Sequence, residues 1–82
     1  MRRCALCKTT RNLERHHLVF GRGLRPLSEK YGLVKDLCRV CHYKVHHEKR
    51  YMDWSRQTGQ KMFEKDHSRE EFIQTFGKNY LD

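Results

Sequence analysis

The stretch Leu37-Cys38-Arg39-Val40-Cys41-His42-Tyr43-Lys44-Val45-His46 decides how this chain folds. It contains a Cys-x-x-Cys pair and, from the next residue, a His-x-x-x-His pair. A two-residue gap lets one tight turn present both sulfurs of a pair to a single ion. Histidines at i and i+4 of a helix project from one face, so His42 and His46 can share an ion. The spacing predicts a metal-binding turn that runs directly into a helix over about residues 39–49. His47 lies about 100° further round that helix and points away from the pair.

Towards the N-terminus stand a matching pair, Cys4 and Cys7, and a doublet, His16-His17, within Leu13-Glu14-Arg15-His16-His17-Leu18. Four thiolates suit a closed tetrahedral zinc shell, which leaves no position for water and does no chemistry. Cys4, Cys7, Cys38 and Cys41 are therefore expected to hold a structural zinc that pins the start of a hairpin to the start of the helix. The x-x spacing favours zinc over disulfides in a reducing compartment. Met1-Arg2-Arg3 runs into the first pair without an apolar stretch, so no secretory signal is expected. No segment approaches the roughly 20 apolar residues of a membrane span. The expectation is a cytoplasmic protein with no membrane partner.

Residues 13–19 read as a strand and residues 33–37 as a second one. Between them Gly21, Arg22, Gly23, Arg25, Pro26, Ser28 and Gly32 mark an irregular loop. Neighbouring residues of a strand face opposite sides. One histidine of the doublet can thus join the helix histidines at a metal while the other faces a substrate. The C-terminal third reads as helical. Tyr51, Trp54, Met62 and Phe63 form an apolar stripe, with an interruption near Thr58-Gly59. Ser68 and Glu71 form a capping-box signature, Phe72, Ile73 and Phe76 share a face, and Gly77 is a C-cap.

The 82 residues are 37% hydrophobic and 34% charged, a composition that gives a small core and calls for a staple such as a metal. The expected architecture is one α+β zinc-stabilised domain over residues 1–82. A core of a two-stranded hairpin plus a helix spans about 4–50, and a helical extension spans about 51–82. The formal charge is +8, and four thiolates with one Zn²⁺ would leave +6. That excess points to a polyanion held by counterion release. Arg22, Arg25, Lys44 and Arg50 are the expected phosphate contacts. The aromatic residues do not alternate with basic ones in a base-stacking pattern, so sequence-specific recognition is not indicated.

The doublet, the second knuckle and the helix histidines together resemble the HNH endonucleases, which have the ββα-metal or His-Me finger fold. The likeness covers about residues 4–47. The loop 20–26 and the ending 76–81 look like small zinc-bearing phage or prophage members. The resemblance implies a metal-dependent DNA endonuclease of low sequence specificity. His16, His42 and His46 match the ligands of the catalytic divalent ion, and His17 matches the general base. The ion would stabilise the leaving 3′ oxygen and the phosphate charge. Imidazole, as a class, titrates near neutrality and suits a base. An imidazole-rich site favours Mn²⁺, Ni²⁺, Co²⁺ or Zn²⁺, with weaker support from Mg²⁺. A recombination or packaging protein of phage or host is an expected partner. One departure stands out: Leu33 occupies the place of the family's middle asparagine, so the loop beside the base is expected to be fixed by Asp36 or a backbone carbonyl. The alternative function is a non-catalytic zinc module that binds nucleic acid or protein, for example a phage factor acting on a host protein.

Overall fold

The computed structural model describes residues 2–81. It is a small α+β structure: β1 (Leu13–His17), α1 (Arg25–Lys30), β2 (Val34–Cys38), α2 (Arg39–His47), α3 (Lys49–Phe63) and α4 (Arg69–Phe76). The strands form one antiparallel hairpin in which Leu13 pairs with Cys38 and His17 with Val34. β1 stops at His17, short of the expected residue 19: Leu18 N–H still bonds the Leu33 carbonyl, but Val19 bonds the Ser28 hydroxyl through both its N–H and its carbonyl, and both residues are fully buried.

The segment expected as an irregular loop carries a helix instead. Pro26 sits in the first turn of α1, where its fixed φ suits a helix and its missing N–H is not needed. Ser28 on that helix is fully buried. Its hydroxyl donates to the Val19 carbonyl and accepts from the Val19 N–H, and the Ser28 carbonyl accepts from Leu33 N–H. Leu33 itself is buried in the core. Asp36 takes no part in fixing this connection, because Arg2 holds its carboxylate through two bonds of 2.8 and 2.9 Å. Ser28 and backbone groups hold the connection.

α2 follows β2 without a linker, since Cys38 is both the last strand residue and the N-cap whose sulfur accepts from Cys41 N–H. It ends at His47, where Glu48 is extended (φ −122°, ψ 123°), and α3 begins at once. α3 passes through Thr58 and Gly59 without the expected break. Gly59 is there for a close approach: a Cβ at that position would lie 2.7 Å from Val19 Cγ2 and 3.0 Å from Leu18 Cβ. The centre of the α3 inner face is Ser55, Gly59, Gln60 and Phe63, while Tyr51, Trp54 and Met62 are half-buried at its edges.

The core has two parts. Cys4, Phe20, Leu37, Cys38, Cys41 and Val45 pack at the cysteine end. Leu18, Val19, Leu33, Phe63, Phe72 and Phe76 pack under α3 and α4, and Trp54 touches both parts. The Ser68–Glu71 capping box starts α4, and Gly77 in the left-handed region (φ 84°) ends it. Phe72 and Phe76 are buried, but Ile73, expected on their face, is 39% exposed. Gln60 is wholly buried and clamps the C-terminal turn. It donates to Asn79 Oδ1 and accepts from Tyr80 N–H, each at 2.7 Å.

Candidate functional site

The four cysteines are free thiols gathered into one cluster with the three histidines 16, 42 and 46 gathered into another. Within each cluster the ligand atoms lie within 4.8 Å of one another. In both Cys-x-x-Cys pairs the first sulfur accepts from the N–H of the second cysteine, at 3.5 Å for Cys4 and 3.4 Å for Cys38. Cys7 Sγ and Cys38 Sγ, one from each pair, are 3.6 Å apart. A zinc tetrahedron with arms of about 2.3 Å has edges of about 3.8 Å, so this spacing fits a Cys₄ ion. Burial pushes the Cys4 thiol up, but N–H groups of Cys7, Cys38 and Leu6 outweigh it and bring the thiol down to about 6. Burial and neighbouring thiols push Cys41 the other way. A divalent cation would relieve that conflict by favouring the ionised form of every sulfur. Cys4, Cys38 and Cys41 are buried and Cys7 is exposed. The arrangement is geometrically suited to a structural zinc.

Strand alternation builds the second cluster. Glu14 and His16 share the β1 face that meets α2, and Arg15 and His17 share the other. His16 is 2% exposed. Its ring lies 5.0 Å from that of His42 and 5.6 Å from that of His46, centroid to centroid, and the two helix rings are 5.0 Å apart. His16 Nε2 is 2.7 Å from Ser55 Oγ, and that hydroxyl donates its single proton to the Leu18 carbonyl at 2.6 Å. Ser55 must then accept from Nε2–H, which leaves Nδ1 of His16 with its lone pair. His42 Nδ1 lies 2.7 Å from Glu14 Oε1, an acceptor when ionised. That bond places the proton on Nδ1 and frees Nε2 of His42. Burial, then the nearby His42 and His46, push His16 down to about 3, so it is neutral at physiological pH, the form that ligates a metal. Burial, then His42 and Arg25, also lower His46. Phe20 closes one side, its ring 4.6 Å from that of His46, and Arg56 lies over the Phe20 ring at 4.5 Å. Three imidazoles with ligand atoms within 4.8 Å of one another, two of them with one ring nitrogen engaged by a neighbour, are a donor set that could hold a transition metal.

These histidines line a cleft of about 290 Å³ with Arg15, His17, Phe20 and Arg25. His17, the last residue of β1, is outside the three-histidine cluster and partly exposed. Its Nε2 lies 3.4 Å from Glu29 Oε2. Of the four residues expected to contact phosphate, Arg25 is at the cleft. Arg22 is exposed and outside its lining, while Lys44 and Arg50 lie over the Tyr51 ring at 5.6 and 4.9 Å. His47 stacks on the exposed Tyr43 at 4.0 Å and stays away from the His42–His46 pair.

Sequence reasoning missed Glu14, Arg15, Glu29 and Ser55. Strand alternation could have found the first two, since Glu14 has the parity of His16 and Arg15 that of His17. Ser55 and Glu29 reach the site only through tertiary packing, and no local spacing marks them. Comparison with protein-family models, curated proteins and solved structures returned no match for this chain. No helix among the described residues is long and apolar enough to cross a membrane.

Proposed function

We propose that this chain is a metal-dependent DNA endonuclease of the HNH type that hydrolyses phosphodiester bonds with little sequence preference. The observation that carries the proposal is the convergence of His16, His42 and His46 beside a fourth histidine, His17, in a cleft lined by Arg15 and Arg25. The two metal clusters divide the work. The cysteines fasten the hairpin to α2, and the histidines use that junction as a platform.

Each side chain has a distinct task. Arg25 attracts and orients a phosphate at the cleft mouth. His17, kept off the metal, takes a proton from the attacking water. Ser55 and Glu14 hold the His16 and His42 rings with their ligating nitrogens turned inward. A divalent ion held by the three imidazoles would stabilise the phosphate charge and the leaving oxygen as a Lewis acid. The donor set favours Mn²⁺, Ni²⁺, Co²⁺ or Zn²⁺ over Mg²⁺.

The test is nicking of supercoiled plasmid by the zinc-loaded protein with each of these ions, beside His17→Ala. The expected result is nicking by the wild type and a loss of roughly 10²–10⁴-fold in the variant. DNA binding without cleavage under any divalent ion would replace the nuclease with a nucleic-acid-binding zinc module.

A further inference from the structure

We propose that Glu29 is the positioning residue for the His17 imidazole and that Arg15 locks Glu29 in place; the proposal rests on the nuclease reading of the site. The residue does the work that the absent asparagine and Asp36 leave undone. Leu33 is apolar and buried, and the Asp36 carboxylate is taken by Arg2. Among the described residues, Glu29 is the carboxylate within 4.0 Å of His17.

The geometry is over-determined on the Glu29 side. Ser28, its neighbour, is tied to both the N–H and the carbonyl of Val19, so the α1 backbone is fixed against the end of β1. Arg15 Nη2 donates to Glu29 Oε1 at 3.0 Å and to Oε2 at 2.8 Å, and Arg15 Nε donates to Oε2 at 3.3 Å. A guanidinium engaging both oxygens sets the plane of the carboxylate. Arg15 and His17 share one face of β1, so the same alternation that aims the base also aims the lock. Oε2 then faces Nε2 of His17 at 3.4 Å, slightly longer than a typical hydrogen bond and within reach of one after a small adjustment of the ring. A carboxylate on that side favours Nε2 as the nitrogen that carries the proton. Nδ1 is left with the lone pair that receives the proton of water.

A purely structural reading of the Arg15–Glu29 pair makes the opposite forecast for substitution. The two side chains are 58% and 50% exposed, and such pairs contribute little to folding. Removing Glu29 should then change nothing that matters. Under the proposal it should slow cleavage while leaving the fold and the metal intact.

The experiment uses the full zinc-loaded chain with Mn²⁺ and supercoiled plasmid. Glu29→Ala should lower kcat by roughly 10²-fold, as misplacement of a reacting group does, with KM and Mn²⁺ affinity little changed. Glu29→Gln, which keeps an oxygen acceptor, should recover part of the loss. The double variant Glu29→Ala/His17→Ala should be no slower than His17→Ala alone, because without the ring there is nothing to position. A wild-type rate in Glu29→Ala, a loss confined to KM, or a further large drop in the double variant overturns the proposal. Side-chain ¹⁵N spectra supply a readout independent of turnover. The His17 ring should show the Nε2–H tautomer in the wild type and a mixture in Glu29→Ala. If that spectral change occurs in a protein that never nicks DNA, the nuclease reading fails while the contact stands. If the wild type nicks and the ring is indifferent to Glu29, positioning fails and the nuclease survives.

Discussion

At the scale of single residues, the histidine cluster depends on which nitrogen of each ring is free, and neighbours settle that. Ser55 is a small polar residue in the middle of α3, fully buried and bonded to both His16 and the Leu18 carbonyl. Ser55→Ala would strand one donor and one acceptor in the core. It should cost about 1–3 kcal/mol of stability, measurable by urea unfolding. Its sharper effect should be on the second metal: freed from Ser55, the His16 ring can present the wrong nitrogen. Mn²⁺ affinity should fall roughly 10- to 100-fold while the zinc is retained. Unchanged Mn²⁺ affinity in a folded Ser55→Ala protein would show that the hydroxyl does not orient the ligand. Glu14 stands in the same relation to His42, but its carboxylate is 43% exposed, so water can substitute for part of its role.

At the scale of elements, the close packing of Leu18 and Val19, just past β1, against α3 at Gly59 sets how closely His16 approaches Ser55. Gly59→Ala would force a methyl to within 2.7 Å of Val19 Cγ2. Overpacking of about 1–3 kcal/mol, offset by about 1 kcal/mol of better helix propensity, should leave a net loss of up to about 2 kcal/mol in thermal unfolding. A stabilised Gly59→Ala protein would mean that the glycine has no packing role. The same position shows what the sequence could and could not disclose. Spacing and residue type placed the hairpin, α2, the capping box of α4, the four-cysteine cluster and the His42–His46 pair, since each is local or carries its own chemical signature, whereas His16 was assigned to that pair only through the resemblance. Gly59 read as a break because a glycine required by a neighbouring segment looks, in sequence, like one required by a turn. α1 was hidden behind Gly21, Gly23 and Gly32, although Pro26 was a legible helix start. Ile73 shares the helical phase of its buried neighbours closely enough to mislead, and only packing shows it half in water.

At the scale of the whole molecule, the cysteine cluster joins three stretches that would otherwise share little core: the N-terminal turn, the end of β2 and the start of α2. Zinc in such a setting contributes on the order of 10 kcal/mol of apparent binding free energy, which here is folding free energy. Cys38→Ser, which removes a ligand and alters the α2 cap, should leave the chain largely unfolded by circular dichroism, and a strong chelator should do the same to the wild type. A folded, metal-free chain would contradict this. The basic excess, +8 for the metal-free chain and +6 with four thiolates and one Zn²⁺, predicts DNA affinity that falls steeply between low and moderate salt. Because Arg25 lines the cleft and Arg22 does not, Arg25→Ala should depress cleavage more than Arg22→Ala, while both weaken binding without regard to sequence. The central claim is that the two clusters hold two metals with different roles and that His17 is no ligand of either. Calorimetric titration of the zinc-loaded protein with Mn²⁺ tests it most directly. One additional site is expected in the wild type and in His17→Ala, and that site should be lost in His46→Ala with the zinc still bound. A wild type that takes up no second ion, or a second site that His17→Ala abolishes and His46→Ala leaves intact, would contradict the account.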